Sequence, residues 1–173
     1  MHILLAIVVP VALIVAYAST RPSDFRIARS RVIDASPEAL FALIEDFHKW
    51  AAWSPWDKMD PAMLRTFEGP ERGVGAVYRW RGNSKVGEGS MTIREAVAGE
   101  RMVFDLHFLK PFPAQNVGAF ALTPEGSGTR VEWSMTGRNA LPAKVFGLFM
   151  NMDEMVGRDF EKGLAAMEQA AKA

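Results

Sequence analysis

The 173-residue chain has no cysteine. That excludes disulfides, thiolate metal sites and a cysteine nucleophile. Histidine is nearly absent too: His2, His48 and His107 stand singly, whereas zinc needs three or four ligands at suitable spacing. Asp57 and Asp60 lie near His48, but as loop carboxylates beside tryptophans they read as solvated or capping groups, so no metal is expected. Charge of one sign is also missing. Lys and Arg number 20 against 20 Asp and Glu, so no basic surface for nucleic acid is indicated. Gly87-Glu88-Gly89 lacks the lysine and the strand-to-helix context of a phosphate loop. Ser54, Ser90 and Ser134 have no nucleophile-elbow setting. Nothing implies a cofactor.

What is abundant is large, soft and apolar: 11 Phe, 10 Met and 5 Trp. Beyond the first twenty residues, about 150 remain, the length of one domain. Such a domain buries roughly 70% of its unfolded surface and needs no covalent staple. Methionine adapts to irregular apolar spaces, so this composition suits either a packed aromatic core or a lined cavity.

The N-terminus is the longest apolar run. Residues 3–18, ILLAIVVPVALIVAYA, carry no charge. As a helix they rise about 24 Å, slightly short of a hydrocarbon core of roughly 30 Å. Residues 1–20 are therefore expected to be a membrane anchor, contacting the bilayer through residues 3–20, with a domain over 24–173. A cleaved signal peptide is the second reading, since Ala16-Tyr17-Ala18 has the small-x-small form. A buried core helix is the third, and the lack of any polar face argues against it. Arg21, Arg26, Arg29 and Arg31 follow the run and no Lys or Arg precedes it. The positive-inside rule then favours a single-pass protein with a cytoplasmic domain, an exported or periplasmic domain being the alternative.

The remainder reads as α+β. Residues 25–34, FRIARSRVID, suggest an edge strand. Ser36-Pro37-Glu38 announces a helix through an N-cap, a first-position proline and a first-turn acid. Trp50, Trp53 and Trp56 then recur every third residue until Pro55 interrupts them; they suit a plug at one end of the core or a pocket mouth. From Met63 to Thr136 apolar residues alternate with polar ones, most clearly at Met102, Phe104, Leu106 and Phe108. Short turns separate these runs, which predicts an antiparallel meander covered on one face. Residues 142–173 read as one long helix, bent near Gly147 or Gly157, whose stripe includes Val145, Phe149, Met152, Phe160 and Leu164. A helix of that length must lie across the sheet, gripped by its curvature.

In that order of elements the chain resembles the START-like, helix-grip superfamily (SRPBCC), in its bacterial polyketide cyclase/dehydrase-type branch. The residues that carry the resemblance are Ser36-Pro37-Glu38 with Phe41, Asp46…Trp50…Trp53-Ser54-Pro55-Trp56, Tyr78-x-Trp80 before Gly82-Asn83, and Gly87-x-Gly89. Val131-x-Trp133 and Asn151-Met152-Asp153…Gly157-x-Asp159-Phe160-x-x-Gly163-Leu164 complete it. The resemblance covers residues 25–171. It implies a helix-grip fold of about six or seven strands around a long C-terminal helix, with a deep cavity between them. The superfamily has no universal catalytic motif, so no catalytic residue is carried over.

Alternation and helical spacing nominate the cavity residues: Trp53, Trp56, Trp80, Met91, Phe104 and Leu106 from the first part of the chain, and Phe120, Trp133, Phe149, Met152 and Phe160 from the second. Each of them also fits a plain core. Acid–base candidates are Glu88, His107, Arg79 and Asp46; alternation puts the first three on the solvated face. The expected partner is a small hydrophobic molecule such as a lipid, polyketide or aromatic metabolite, bound by a membrane-tethered domain. A cyclase or dehydratase, and a non-catalytic regulatory or interaction domain, are the alternatives.

Overall fold

The computed structural model describes residues 2–172, with side chains from residue 8 onward. Helix α1 spans His2–Thr20. Strand β1 (Asp24–Ile33) follows, then helix α2 (Pro37–Ile44) and two 3₁₀ turns, Phe47–Ala52 and Trp56–Lys58. Strands β2 (Leu64–Glu68), β3 (Val77–Arg81), β4 (Glu88–Val97), β5 (Arg101–Lys110), β6 (Ala114–Glu125) and β7 (Gly128–Arg138) come next. The chain ends with α3 (Leu141–Phe146) and α4 (Met152–Ala170).

The strands form one antiparallel sheet of order β1-β7-β6-β5-β4-β3-β2. Six run as a meander, and β1 returns to pair with β7 as an edge. Register shifts in β4 at Glu88/Gly89 and Ile93/Glu95 bend it against β5, since an extra residue on one strand kinks the ladder. Inward residues alternate as expected: Met102 and Phe104 on β5, Phe120 and Leu122 on β6, Val131 and Trp133 on β7, all buried. Ser36 caps α2 by accepting from the Ala39 amide, with Pro37 at its first turn. Asp46 caps the first 3₁₀ turn by accepting from the His48 amide, which is the physical role of one of the acid–base candidates.

Helix α4 crosses β1 and β7 on the buried face. Phe160, Leu164 and Met167 are buried there. Two glycines permit close approach: a Cβ on Gly163 would lie 2.6 Å from the Trp133 ring, and one on Gly157 would meet the Arg29 guanidinium. Charge pairs then hold the helix in place. Arg29 donates to Asp153 Oδ2 at 2.9 Å and to Glu161 Oε1 at 3.1 Å. Arg31 donates to Glu168 Oε2 at 2.7 Å.

Two expectations are corrected. The C-terminal helix is not continuous from Pro142. It breaks over residues 147–151, where Gly147 closes α3 and Asn151 starts α4 by accepting from the Glu154 amide; Gly157 lies inside α4, held against Arg29. The single-pass membrane localisation is also overturned, because among the described residues no helix is long and apolar enough to cross a membrane. The C-terminal end of α1 packs on α3: Ala18 is buried, and Lys144 donates to the Arg21 carbonyl at 2.8 Å. The flanking arginines that suggested an orientation serve the fold instead, Arg29 and Arg31 being paired with α4 and Arg26 with Glu132.

The Arg29 and Arg31 hydrogen bonds hold the Asp153 and Glu168 carboxyls below their ordinary values. A depressed folded-state pKa contributes stability that is complete above the unfolded value and is lost as pH falls through the folded one. Urea midpoints measured from pH 6 to pH 2 are therefore expected to fall more steeply below about pH 4 in the native chain than in an Asp153→Asn, Glu168→Gln double variant. Parallel acid limbs would refute the contribution.

Candidate functional site

Where α4 leaves the sheet, the space beneath it is not filled. A cavity of about 560 Å³ lies between β3–β7, the second 3₁₀ turn and the first turns of α4. Its aromatic wall is built by Trp56, Trp80, Phe104, Trp133 and Phe160, and Met91, Leu106 and Met152 add flexible or branched surface. Exposed Met152 and Met155 on α4 and Lys85 before β4 mark its mouth. A second hollow of about 540 Å³ is a shallower groove at the β1–β7 end, lined by Asp24, His107, Gln115 and Arg138 among others. Its polar, exposed lining suits bulk water better than an apolar molecule.

Eight of the eleven nominated residues thus share one cavity. Trp53 and Phe120 lie behind it, each 0% exposed. Trp53 meets Phe120 and Trp133 edge-on, at 5.8 and 5.5 Å between ring centroids, and donates its indole N–H to the Leu43 carbonyl at 3.2 Å. It is the floor rather than the surface. Phe149 is off the cavity: it sits in the α3–α4 break and is 72% exposed, because the helix that would have turned it inward is interrupted. The three tryptophans therefore divide their work. Trp53 plugs the core, Trp50 is buried but also lines the cavity, and Trp56, beyond Pro55, reaches the cavity and the edges of Trp133 and Phe160.

The lining also contains residues the sequence pattern did not nominate. Trp50, Met63, Phe108 and Met135 belong to it. So does Tyr78, and this is the most informative one. Tyr78 is 5% exposed, and its hydroxyl has no hydrogen-bond partner among the described residues. The Tyr78-x-Trp80 alternation already turned it inward; what was missing was any sign that its oxygen would lack a partner. Beside it, Arg65 on β2 donates from Nε to Asp57 Oδ1 at 2.5 Å, from Nη1 to the Met63 carbonyl and from Nη2 to the Asp57 carbonyl. Three of its five N–H groups are thereby used, and the guanidinium still acts on the Tyr78 phenol beside it. Burial, reinforced by the Asp57 charge and opposed by Arg65, pushes the Tyr78 phenol up to about 12.

The acid–base candidates gather nowhere. Glu88 is paired with Lys110 and Arg81, which hold its carboxyl below the ordinary range, and its Oε2 lies 3.0 Å from the Lys110 ammonium. Arg79 pairs with Glu68 on the outer face, and His107 is exposed. Among the described residues no three His, Cys, Asp or Glu side chains converge as a metal site.

A long helix gripped by an antiparallel sheet, with an apolar cavity between them, defines a helix-grip protein of the SRPBCC type. The chain belongs to the family described as polyketide cyclase / dehydrase and lipid transport, whose model matches residues 24–172. Solved structures share the fold. Protein CV1439 from Chromobacterium violaceum is 16% identical, with a TM-score of 0.62 over 86% of this chain and 97% of its own. MLL2253 from Mesorhizobium loti is 16% identical, with a TM-score of 0.62 over 84% and 95%. The Aha1 dimer from Colwellia psychrerythraea is 13% identical, with a TM-score of 0.60 over 85% and 96%. At these identities the likeness concerns the fold alone. No curated protein matches the chain.

Two outcomes test this geometry. Trp53→Ala, which removes an enclosed indole, is expected to cost about 3–5 kcal/mol of stability in chemical denaturation; a loss below 1 kcal/mol would contradict the floor assignment. The raised Tyr78 pKa stabilises the fold fully below the unfolded value near 10, and that contribution is lost as pH rises through about 12. Alkaline unfolding of Tyr78→Phe should accordingly lack this component, seen as a shallower stability loss above pH 10 than in the native chain.

Proposed function

We propose that the chain is a binding module for a small hydrophobic molecule, a lipid, polyketide or aromatic metabolite, held between the sheet and α4. The observation that carries this reading is the cavity itself. Its volume, about 560 Å³, falls inside the range of roughly 300–1,000 Å³ typical of ligand sites. A regulatory domain with a closed interior would have packed that space, because unfilled apolar volume destabilises a core. The family supports a hydrophobic ligand as the class of partner.

A cyclase or dehydratase would need an ionisable group poised on the substrate. The carboxylates in the lining, Asp57 and Asp159, are instead held by Arg65 and Lys162 at 2.5 and 3.1 Å. Binding without chemistry is the simpler use of this site.

Native mass spectrometry of the purified chain is expected to show adducts of a co-purifying or added apolar molecule, and their consistent absence would sink the reading. Leu106→Trp places an indole in the cavity and is expected to weaken binding of the neutral dye N-phenyl-1-naphthylamine at least about tenfold, with an unchanged circular dichroism spectrum. Undiminished dye binding would mean that the apolar molecule sits elsewhere.

A further inference from the structure

The chain carries ten methionines and no cysteine, so thioethers are its only sulfur. The fold sorts them sharply. Met63, Met91, Met102, Met135 and Met167 are buried, and Met59 is half-buried. Met150, Met152 and Met155 are 40%, 39% and 44% exposed, and they sit together over the α3–α4 break and the first turn of α4. Met152 and Met155, three residues apart on the helix, share a face, and both line the cavity. They therefore meet solvent on one side and the cavity on the other. The acids around them are already held: Asp153 by Arg29, Glu154 by Arg158 and Asp159 by Lys162. On the α4 side, the polarity of the mouth is set by these thioethers.

We propose that Met150, Met152 and Met155 form a reversible oxidation site, through which a hydroperoxide such as hydrogen peroxide shuts the cavity to apolar molecules. This inference rests on the cavity being a ligand site. In the step, a sulfur lone pair attacks one peroxide oxygen. The O–O bond breaks as the S–O bond forms, and the departing hydroxide takes the proton of the new S–OH group and leaves as water. Sulfur loses two electrons and the peroxide gains them. A flexible apolar side chain thereby becomes a polar, chiral sulfoxide. Its oxygen is hydrated at the open mouth. An apolar molecule covering it strips that water and offers no hydrogen bond in return, which is the penalty of a buried unpaired polar group. Packing shields the buried methionines from the oxidant, so the mouth responds before the core does. With no thiol in the chain, nothing on the same molecule takes the peroxide first.

The test treats the full chain with hydrogen peroxide and locates sulfoxides by peptide mass spectrometry. Met150, Met152 and Met155 are expected to oxidise at least about tenfold faster than Met91, Met102 and Met135. Once those three are converted, affinity for N-phenyl-1-naphthylamine is expected to fall about tenfold, with the near-ultraviolet circular dichroism spectrum retained. It should recover when methionine sulfoxide reductases for both epimers are added; this recovery reads the claim without any substitution. In a Met150→Leu, Met152→Leu, Met155→Leu variant, affinity before treatment serves as the reference, and the same peroxide dose should change it less than about twofold. Equal oxidation of mouth and buried methionines would overturn the inference. So would an unchanged affinity after the three sulfoxides form, a loss that the reductases do not reverse, or one that persists in the leucine variant. Failure of the dye to bind the untreated native chain would instead overturn the ligand-site reading beneath it.

Discussion

The Trp133 ring lies on the Phe160 ring at 4.3 Å between centroids and nearly parallel, and this stack fixes how closely α4 can approach the sheet. Gly163 one turn later lets the helix backbone settle over the same indole. Arg29 and Arg31 then lock the helix along β1 through Asp153, Glu161 and Glu168. Because the helix is pinned over β1 and β7, it cannot also cover β3 to β5. The cavity is the geometrical remainder of that constraint. Aromatic stacking and close backbone approach act over the same turn, so the position of the helix and the existence of the space come from one set of contacts.

The interior on either side of the stack differs in character. Behind it, Trp53 meets Phe120 edge to face, Trp50 sets its edge or face against Phe104 and Phe120 at the boundary with the cavity, and the buried indoles of Trp50 and Trp53 find backbone carbonyls. Every polar atom of that cluster has a use within the fold. In front of it, methionines and the half-buried Leu106 and Phe108 line open space. The open space itself, more than the number of aromatic residues, is what supports the proposed function.

Much of this was legible in the chain. Alternation over residues 102–108 and 130–136 identified inward positions because an antiparallel strand with one wet face repeats every two residues. The capping residue Ser36 and the tryptophan spacing around Pro55 located the short helical turns, whereas Asp46, read as an acid–base candidate, proved to be a cap. What misled were features whose local signal is ambiguous. The stripe from Val145 to Phe149 continues into that of α4, yet Gly147 and Asn151 interrupt it, so Phe149 turns outward. The arginines after the first apolar run resembled a flanking charge cluster, whereas the partners of Arg29 and Arg31 lie more than a hundred residues away on α4. Tyr78 was visible as an inward residue, but a missing hydrogen bond has no signature in sequence.

By itself the sequence determined the strands, their inward faces, the caps and the apolar character of whatever space they enclose, because these follow from periodicities of two and 3.6 residues and from local hydrogen bonding. Tertiary structure alone decided three things: that Trp53 and Phe120 are floor while Trp80 and Leu106 are wall, that the helix breaks before Met152, and that Arg65 pairs with Asp57 beside the Tyr78 phenol. Each depends on distances between residues far apart in the chain. Those distances are set by the stacking of Trp133 on Phe160 and the ion pairs along β1, which no local pattern encodes.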